Sequence, residues 1–128
     1  MPKYVENLSK RKVTGGVKKP NRGRRAYEQH SYPIETKISE DRRVMKKTKG
    51  GGVKVKSLYA QFANVVDPLS KATKKVKILR MITNPASKDL TRKNVITKGA
   101  LIETELGPAK ITSRPGQNGV VNAVLTKR

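Results

Sequence analysis

The chain has 128 residues, room for about one domain, and thirty lysines and arginines against nine aspartates and glutamates give it a formal net charge of +21. So large an excess makes a compact protein repel itself, and it predicts a polyanionic partner, of which nucleic acid is the commonest. The absence of cysteine excludes disulfides, cysteine-ligated zinc and thiol nucleophiles.

The first thirty residues form a basic segment without the periodicity of a helix or a strand. They carry nine lysines and arginines against two glutamates, and Gly15-Gly16, Pro20 and Gly23 would break a helix. The segment holds too few apolar residues to fold alone. We therefore expect residues 1–30 to be an arm that is disordered when free, and residues 31–128 to be the folded, nucleic-acid-binding domain.

Short strands separated by turn sequences are predicted for the first part of this domain. The glycines at 50–52 indicate a hairpin or a mobile loop, and Asp67-Pro68-Leu69-Ser70 is a typical turn. The segment 74–83 has apolar groups on both faces, as in a central strand, and 86–91 fits a polar loop or a single helical turn. The strands before it are expected at 34–38, 42–49, 53–59 and 62–66.

The last third predicts consecutive hairpins. Residues 100–106 alternate, with Ile102, Thr104 and Leu106 on one face, and Gly107-Pro108 is expected to turn the chain into a strand at 109–113. The segment 115–119 ends in Asn-Gly and predicts a second turn, into a strand at 120–125. With no long amphipathic helix, the fold class is all-β: a small β-barrel-like domain of short antiparallel strands with a long basic N-terminal arm.

The strongest candidate site lies in the arm. Its lysines and arginines supply charge-assisted donors to phosphate, its threonine adds a hydroxyl, and its paired glycines let the backbone approach closely. A non-specific basic tail would look similar, so the alternative stays open. The residues are Lys10, Arg11, Lys12, Thr14, Gly15, Gly16, Lys18 and Lys19.

Three further basic sets are candidate phosphate contacts, with plain solvation as the alternative. Near the end of the arm, Tyr27 and Tyr32 could stack on unpaired bases or could pack the arm onto the domain. On strands, neighbouring residues point to opposite faces, so only some members of a set can share one surface. The sets are Arg22, Arg24 and Arg25; Arg42, Arg43, Lys46, Lys47, Lys49 and Lys54; and Arg92, Lys93, Lys98 and Arg114.

Signals for catalysis are poor. His30 is the only histidine and lies in a loop-like stretch, and Lys47-Thr48-Lys49-Gly50 does not complete a nucleotide-binding loop. We expect no metal site, cofactor, small-molecule substrate or enzymatic activity. With neither a signal peptide nor an apolar run of membrane-spanning length, we also expect a cytoplasmic protein without a membrane partner.

Several motifs in order resemble the archaeal and eukaryotic small-subunit ribosomal protein family eight-e, not the bacterial protein of the same number. They are Lys-Arg-Lys-x-Thr-Gly-Gly from Lys10, Arg-Arg-x-Tyr-Glu from Arg24, Thr36-Lys37-Ile38, Gly50-Gly51, Lys75-Val76-Lys77-Ile78, Asn84-Pro85-Ala86, 98–103 and 112–117. The short length and the ending 120–125 resemble the archaeal form. The resemblance implies a β-barrel, an arm threaded into small-subunit ribosomal RNA, neighbouring ribosomal proteins as partners and no enzymatic role.

The sequence therefore supports two hypotheses of function. The first is a structural constituent of the small ribosomal subunit that binds ribosomal RNA through phosphate contacts. The alternative is a basic chromatin-type protein that coats double-stranded DNA. Both predict salt-sensitive binding, but duplex DNA should compete effectively only under the alternative.

Overall fold

The computed structural model describes residues 11–20, 22–23, 25–28 and 31–126. The chain divides into two compact units, Met1–Pro33 and Ile34–Arg128. In the first unit the described residues include a tight turn at 13–15 and a 3₁₀ turn at Ala26–Glu28. That the arm is disordered when free stays a prediction.

The second unit consists mainly of strands. They run over β1 (Thr36–Ile38), β2 (Arg42–Lys47), β3 (Val53–Ala60), β4 (Phe62–Val66), β5 (Thr73–Thr83), β6 (Val95–Ile96), β7 (Leu101–Thr104), β8 (Gly107–Ile111) and β9 (Asn122–Leu125). Two short helices, α1 (Lys88–Arg92) and α2 (Pro115–Asn118), interrupt them. The predicted all-β class is confirmed.

Five strands close into a barrel in the order β4-β5-β7-β8-β9. Neighbours are antiparallel except β4 and β9, which pair in parallel and close the barrel. Alternating residues of these strands point inward, so Val65, Ile78, Ile102, Ile111 and Ala123 are almost completely buried in one core. The barrel predicted from the sequence is confirmed, but its closure is not antiparallel.

The remaining strands form a second sheet in the order β2-β3-β1-β6, which the sequence did not predict. β2 and β3 make the expected antiparallel hairpin around the glycine loop, where the Thr48 N–H donates to the Gly52 carbonyl at 2.7 Å. β1 pairs in parallel with β3 and antiparallel with β6. β6 itself was not predicted, since two residues carry no periodic signal.

The expected turn at Gly107-Pro108 is wrong. Register pairs Thr104 with Gly107, so Glu105 and Leu106 form the two-residue loop and Gly107-Pro108 already belongs to β8. Ile102 and Thr104 share a buried face, as the predicted alternation requires, whereas Leu106 lies in the loop and is exposed. Proline is tolerated in β8 because it needs no ladder N–H at that position.

The segment 115–119 turns the chain into β9 as expected, and β8 and β9 pair antiparallel, but Asn-Gly does not form the expected hairpin turn. Pro115–Asn118 form one turn of helix with proline at its start, and Gly119 ends it at φ +73°. A Cβ at Gly119 would come within 3.1 Å of the Val55 carbonyl oxygen, so this glycine also lets α2 approach β3 closely. The glycine signal was real, but it marks a helix end rather than a hairpin.

The longest strand, β5, has 11 residues and only one well-buried face. Val76, Ile78 and Met81 point into the barrel, while Leu79 is 53% exposed and Ile82 is 45% exposed. The expected central strand is confirmed, since β5 lies between β4 and β7, but the apolar groups on its outer face are not buried. The helical turn allowed for at 86–91 is found as α1, capped by the Ser87 hydroxyl, which accepts from the Asp89 N–H at 3.2 Å.

Candidate nucleic-acid interface

The centre of the predicted arm motif is a tight turn. The Lys12 N–H donates to the Gly16 carbonyl and the Gly15 N–H to the Lys12 carbonyl, both at 3.0 Å. Gly15 has φ +81°, the left-handed conformation that a three-residue hairpin loop requires at its last position. The Arg11 guanidinium also donates to the Gly15 carbonyl at 3.0 Å. Gly15 thus shapes the turn, a role different from the close backbone approach expected of it.

The side chains of this turn point into solvent. Arg11, Lys12 and Thr14 are exposed, and Val13 at the tip is fully exposed. Because these charged side chains are exposed, they are available for an external anion. The Arg11 guanidinium has five N–H donors, and only one of them is used in the bond to Gly15. The others can donate to a phosphate.

The remaining arm residues of the candidate site lie nearby in sequence. Lys18 is half-buried, while Lys19, Arg22 and Arg25 are exposed. Tyr27 and Tyr32 are 59% and 66% exposed, so large parts of both rings are accessible. Lys10, Arg24 and His30 lie outside the described residues.

The β2–β3 hairpin sorts its basic side chains onto two faces. Cross-strand partners share a face, and the register pairs Lys46 with Lys54 and Val44 with Lys56. We call Lys46, Lys54 and Lys56 the lysine face. The opposite face pairs Met45 with Val55, Lys47 with Val53 and Arg43 with Ser57. The predicted set is therefore brought together only in part, and Lys56, which the sequence prediction omitted, joins it.

Like charges directly opposite each other disfavour a hairpin. Lys46 and Lys54 face each other in this way, and residues 42–60 hold seven lysines and arginines with no aspartate or glutamate. The lysine face thus concentrates positive charge that an anion would relieve. Arg42 precedes a register shift, and Lys49 is exposed beside the glycine loop.

The third predicted set, Arg92, Lys93, Lys98 and Arg114, contains cations with and without acidic neighbours in the described part of the chain. Arg92 Nη1 lies 3.6 Å from Asp89 Oδ1 and Lys93 Nζ lies 3.8 Å from Glu35 Oε1, so both cations already have acidic neighbours. Exposed pairs of this kind are weak, at about 0–1 kcal/mol, and can be exchanged for a phosphate. Lys98 is exposed in the loop before β7, and Arg114 is exposed at the start of α2.

Sequence reasoning missed a group on the outer surface of the barrel. β4 exposes Phe62 and Asn64, and its antiparallel neighbour β5 places Lys77 and Lys75 beside them. On the other side, β9 pairs Asn122 with Asn64. An apolar residue in a strand pattern is typical of a core, so only the burial pattern reveals that Phe62 faces outward.

The acidic groups have structural roles. The Leu69 N–H and the Ser70 hydroxyl donate to Asp67 and hold the pKa of its carboxyl below the ordinary value of 3.8, as the predicted turn requires. Glu103 pairs with Arg80 across β5 and β7, the cross-strand pairing expected for it. Among the described residues no group of three histidine, aspartate or glutamate side chains could hold a metal ion, and no helix is long and apolar enough to cross a membrane.

Comparison with known proteins agrees with the resemblance in the motifs. The family model described as ribosomal protein S8e matches residues 5–126. Small ribosomal subunit protein eS8 of Sulfolobus acidocaldarius is 49% identical over 97% of this chain and 98% of its own length. The proteins of the same name from Ignicoccus hospitalis and Methanoregula boonei are each 50% identical, over 92% and 90% of this chain and 92% of their own lengths. The chain belongs to the ribosomal protein S8e family.

Proposed function

We propose that this protein is a structural constituent of the small ribosomal subunit, located in the cytoplasm as part of the ribosome and without an enzymatic role. The observation that carries the proposal is the match of nearly the whole chain to relatives named as small-subunit proteins. The net charge of +21 supports the same function, because a ribosomal protein is surrounded by polyanion.

Its principal partner in this proposal is small-subunit ribosomal RNA, with adjacent proteins of the subunit as further neighbours. Two described surfaces suit phosphate contacts: the turn at 12–16, with Arg11 and Lys12 exposed, and the lysine face of the β2–β3 hairpin. Lysine and arginine near phosphates release condensed counterions, which drives binding without reading base sequence. The protein would therefore hold RNA segments in place rather than recognise a sequence.

The alternative of a chromatin-type protein is not favoured by the family membership. It remains separable by experiment, because a protein adapted to folded RNA should discriminate against a regular duplex. We expect the full chain to bind archaeal small-subunit ribosomal RNA and to keep that RNA when an equal mass of duplex DNA is added. Binding is measured by filter retention of labelled RNA across a series of salt concentrations.

The salt series separates non-specific electrostatic binding from a preference for RNA. Log affinity should fall linearly with log salt, with a slope of about −0.7 to −0.9 for each phosphate contact, for RNA and DNA alike. The preference for RNA should persist at high salt, where non-specific attraction has been screened. Displacement of the RNA by an equal mass of duplex DNA at every salt concentration would contradict the proposed function.

A further inference from the structure

Phe62, the only phenylalanine of the chain, lies on the outer surface of the barrel. β4 alternates strictly, with Ala63 and Val65 buried in the core while Phe62 and Asn64 face outward. The Phe62 side chain remains 37% exposed. A single exposed apolar side chain is common on protein surfaces, so the ring gains meaning only from its surroundings.

Cations surround the ring. Lys75 Nζ lies 4.7 Å from the centroid of the Phe62 ring, and register places Lys77 directly opposite Phe62 on β5. Neither lysine forms an ion pair within the described part of the chain. The ammonium therefore lies over the ring in a cation–π contact, and a nucleotide can replace this contact by placing its base on the ring and its phosphate on the ammonium.

Two amides lie further along the same surface, where β4 pairs with β9. Asn64 Nδ2 donates to Asn122 Oδ1 at 3.1 Å, which fixes both amides across the parallel β4–β9 pair. Among the described residues, nothing bonds to the Asn64 side-chain oxygen or to the Asn122 amide nitrogen. The pair thus still offers an acceptor and a donor, the two groups needed to read the edge of a base.

A small cleft beside the ring brings in the second sheet. Phe62, Asn64 and Lys75 line it together with Arg43 from β2 and Asp41. Asp41 Oδ1 accepts from the Gln61 N–H at 2.7 Å, which leaves the other carboxylate oxygen to accept from an exocyclic amine. Arg43 adds another phosphate donor, one that the sequence had already selected.

We propose that this cleft binds one unpaired nucleobase of RNA, stacked on Phe62, with its flanking phosphates held by Lys75, Lys77 and Arg43. The inference rests on the proposed function, since it names what the barrel surface contributes to RNA binding. A base within a helix is stacked on its neighbours, so the occupant comes from a loop, a bulge or a single strand. The amides of Asn64 and Asn122 meet the edge of that base.

The first test compares two substitutions of exposed apolar side chains in the full chain. Phe62→Leu keeps apolar volume but removes the aromatic face, and we expect affinity for archaeal small-subunit ribosomal RNA to fall by about fivefold or more. The salt slope should stay unchanged because stacking releases no counterions. The matched control is Leu69→Ala, which alters a 73% exposed side chain in the turn at the opposite end of β4 and should leave affinity unchanged.

The second test uses the absence of tryptophan from the chain. Phe62→Trp keeps a stacking surface and introduces a single tryptophan at the site, whose emission should be quenched when the ribosomal RNA binds. Leu69→Trp places the same fluorophore outside the site and should keep its emission on the same RNA. Retained RNA binding by Phe62→Trp, with weakened binding by Phe62→Leu, would separate stacking from a role in folding.

The outcomes separate the inference from the proposed function. If every variant binds RNA with unchanged affinity and the emission of Phe62→Trp is not quenched, the nucleobase site is overturned. The ribosomal role would then stand, and a neighbouring protein would be the better occupant over Phe62. Failure of the unsubstituted chain to bind the RNA would overturn the proposed function itself. Quenching in Phe62→Trp but not in Leu69→Trp, with the loss of affinity in Phe62→Leu, would support the site.

Discussion

Asn84 belongs to one of the motifs that this chain shares with the ribosomal protein family, yet its role in the structure is to stabilise the fold. Its side chain is buried, and Nδ2 donates to the Val95 carbonyl at 3.0 Å and to the Thr97 hydroxyl at 2.9 Å. Its Oδ1 accepts from the Ala86 N–H at 3.1 Å. One amide therefore joins the end of β5 to β6 and to the loop before α1, where backbone groups would otherwise be buried without partners.

We expect Asn84→Ala to lower the free energy of unfolding by about 2 kcal/mol, because the Val95 carbonyl would stay buried without its donor. Urea unfolding followed by circular dichroism measures this. The matched control is Asn118→Ala, which removes an exposed amide from α2 and should change stability by less than about 0.5 kcal/mol. Equal losses in the two variants would argue against a structural role for the Asn84 amide.

Ser113 has a similar role at the other end of the barrel. Its hydroxyl donates to the Val120 carbonyl at 2.9 Å and accepts from the Asn122 N–H at 2.8 Å, and so closes the loop that contains α2. Sequence reasoning placed this residue in a family motif but could not assign it a role. A hydroxyl that closes a loop and one that donates to phosphate have the same sequence signal, and only partners in space distinguish them.

Among the elements, the β2–β3 hairpin illustrates what a local signal can predict. Three glycines between alternating segments predicted its position, because a turn of this kind needs few contacts from elsewhere in the chain. The same reasoning could not tell which lysines share a face until the register was known, since a shift of one residue reverses every side chain. Lys56 was missed for this reason.

Exchange of the lysine face for glutamine should weaken RNA binding and reduce the salt slope by about 2 to 3, one contact for each lysine. The triple variant is Lys46→Gln, Lys54→Gln and Lys56→Gln, measured by filter retention against salt.

The control for this triple variant carries the same net charge. Lys71, Lys88 and Lys110 are exposed at other positions of the second unit, and their exchange for glutamine also removes three charges. We expect the control to keep most of the original slope. An equal reduction in both triple variants would indicate that binding responds to net charge alone and not to the lysine face.

For the whole molecule, the sequence predicts the class of fold better than its connections. The alternation correctly placed Ile102 and Thr104 on one face of a strand. The turn, in contrast, was expected at Gly107-Pro108, whereas Glu105 and Leu106 form it. The parallel closure joins Asn64 to Asn122 across 58 residues, and such pairing leaves no local pattern. Phe62 was assigned to a strand, but its outward position depends on that closed barrel.

For RNA binding, too, the sequence predicts the general property, the partner, better than the arrangement of the contacting residues. Composition alone predicted a polyanionic partner, and the motif order narrowed it to ribosomal RNA. Which basic residues share a surface depends on register, and which already have acidic neighbours, as Arg92 and Lys93 do, depends on tertiary structure. The division into an arm and a domain, and the ordering of the arm on its partner, stay predictions.

The central claim is that the protein is an integral component of the small ribosomal subunit, and co-sedimentation with isolated archaeal small subunits tests it most directly. The full chain is mixed with subunits from which it has been removed and is centrifuged through a high-salt gradient, with an excess of duplex DNA as competitor. We predict that it stays with the subunit at one copy each, because a defined site adds contacts besides those to phosphate, and salt does not screen these. Release at the same salt concentration at which it leaves duplex DNA would contradict the account.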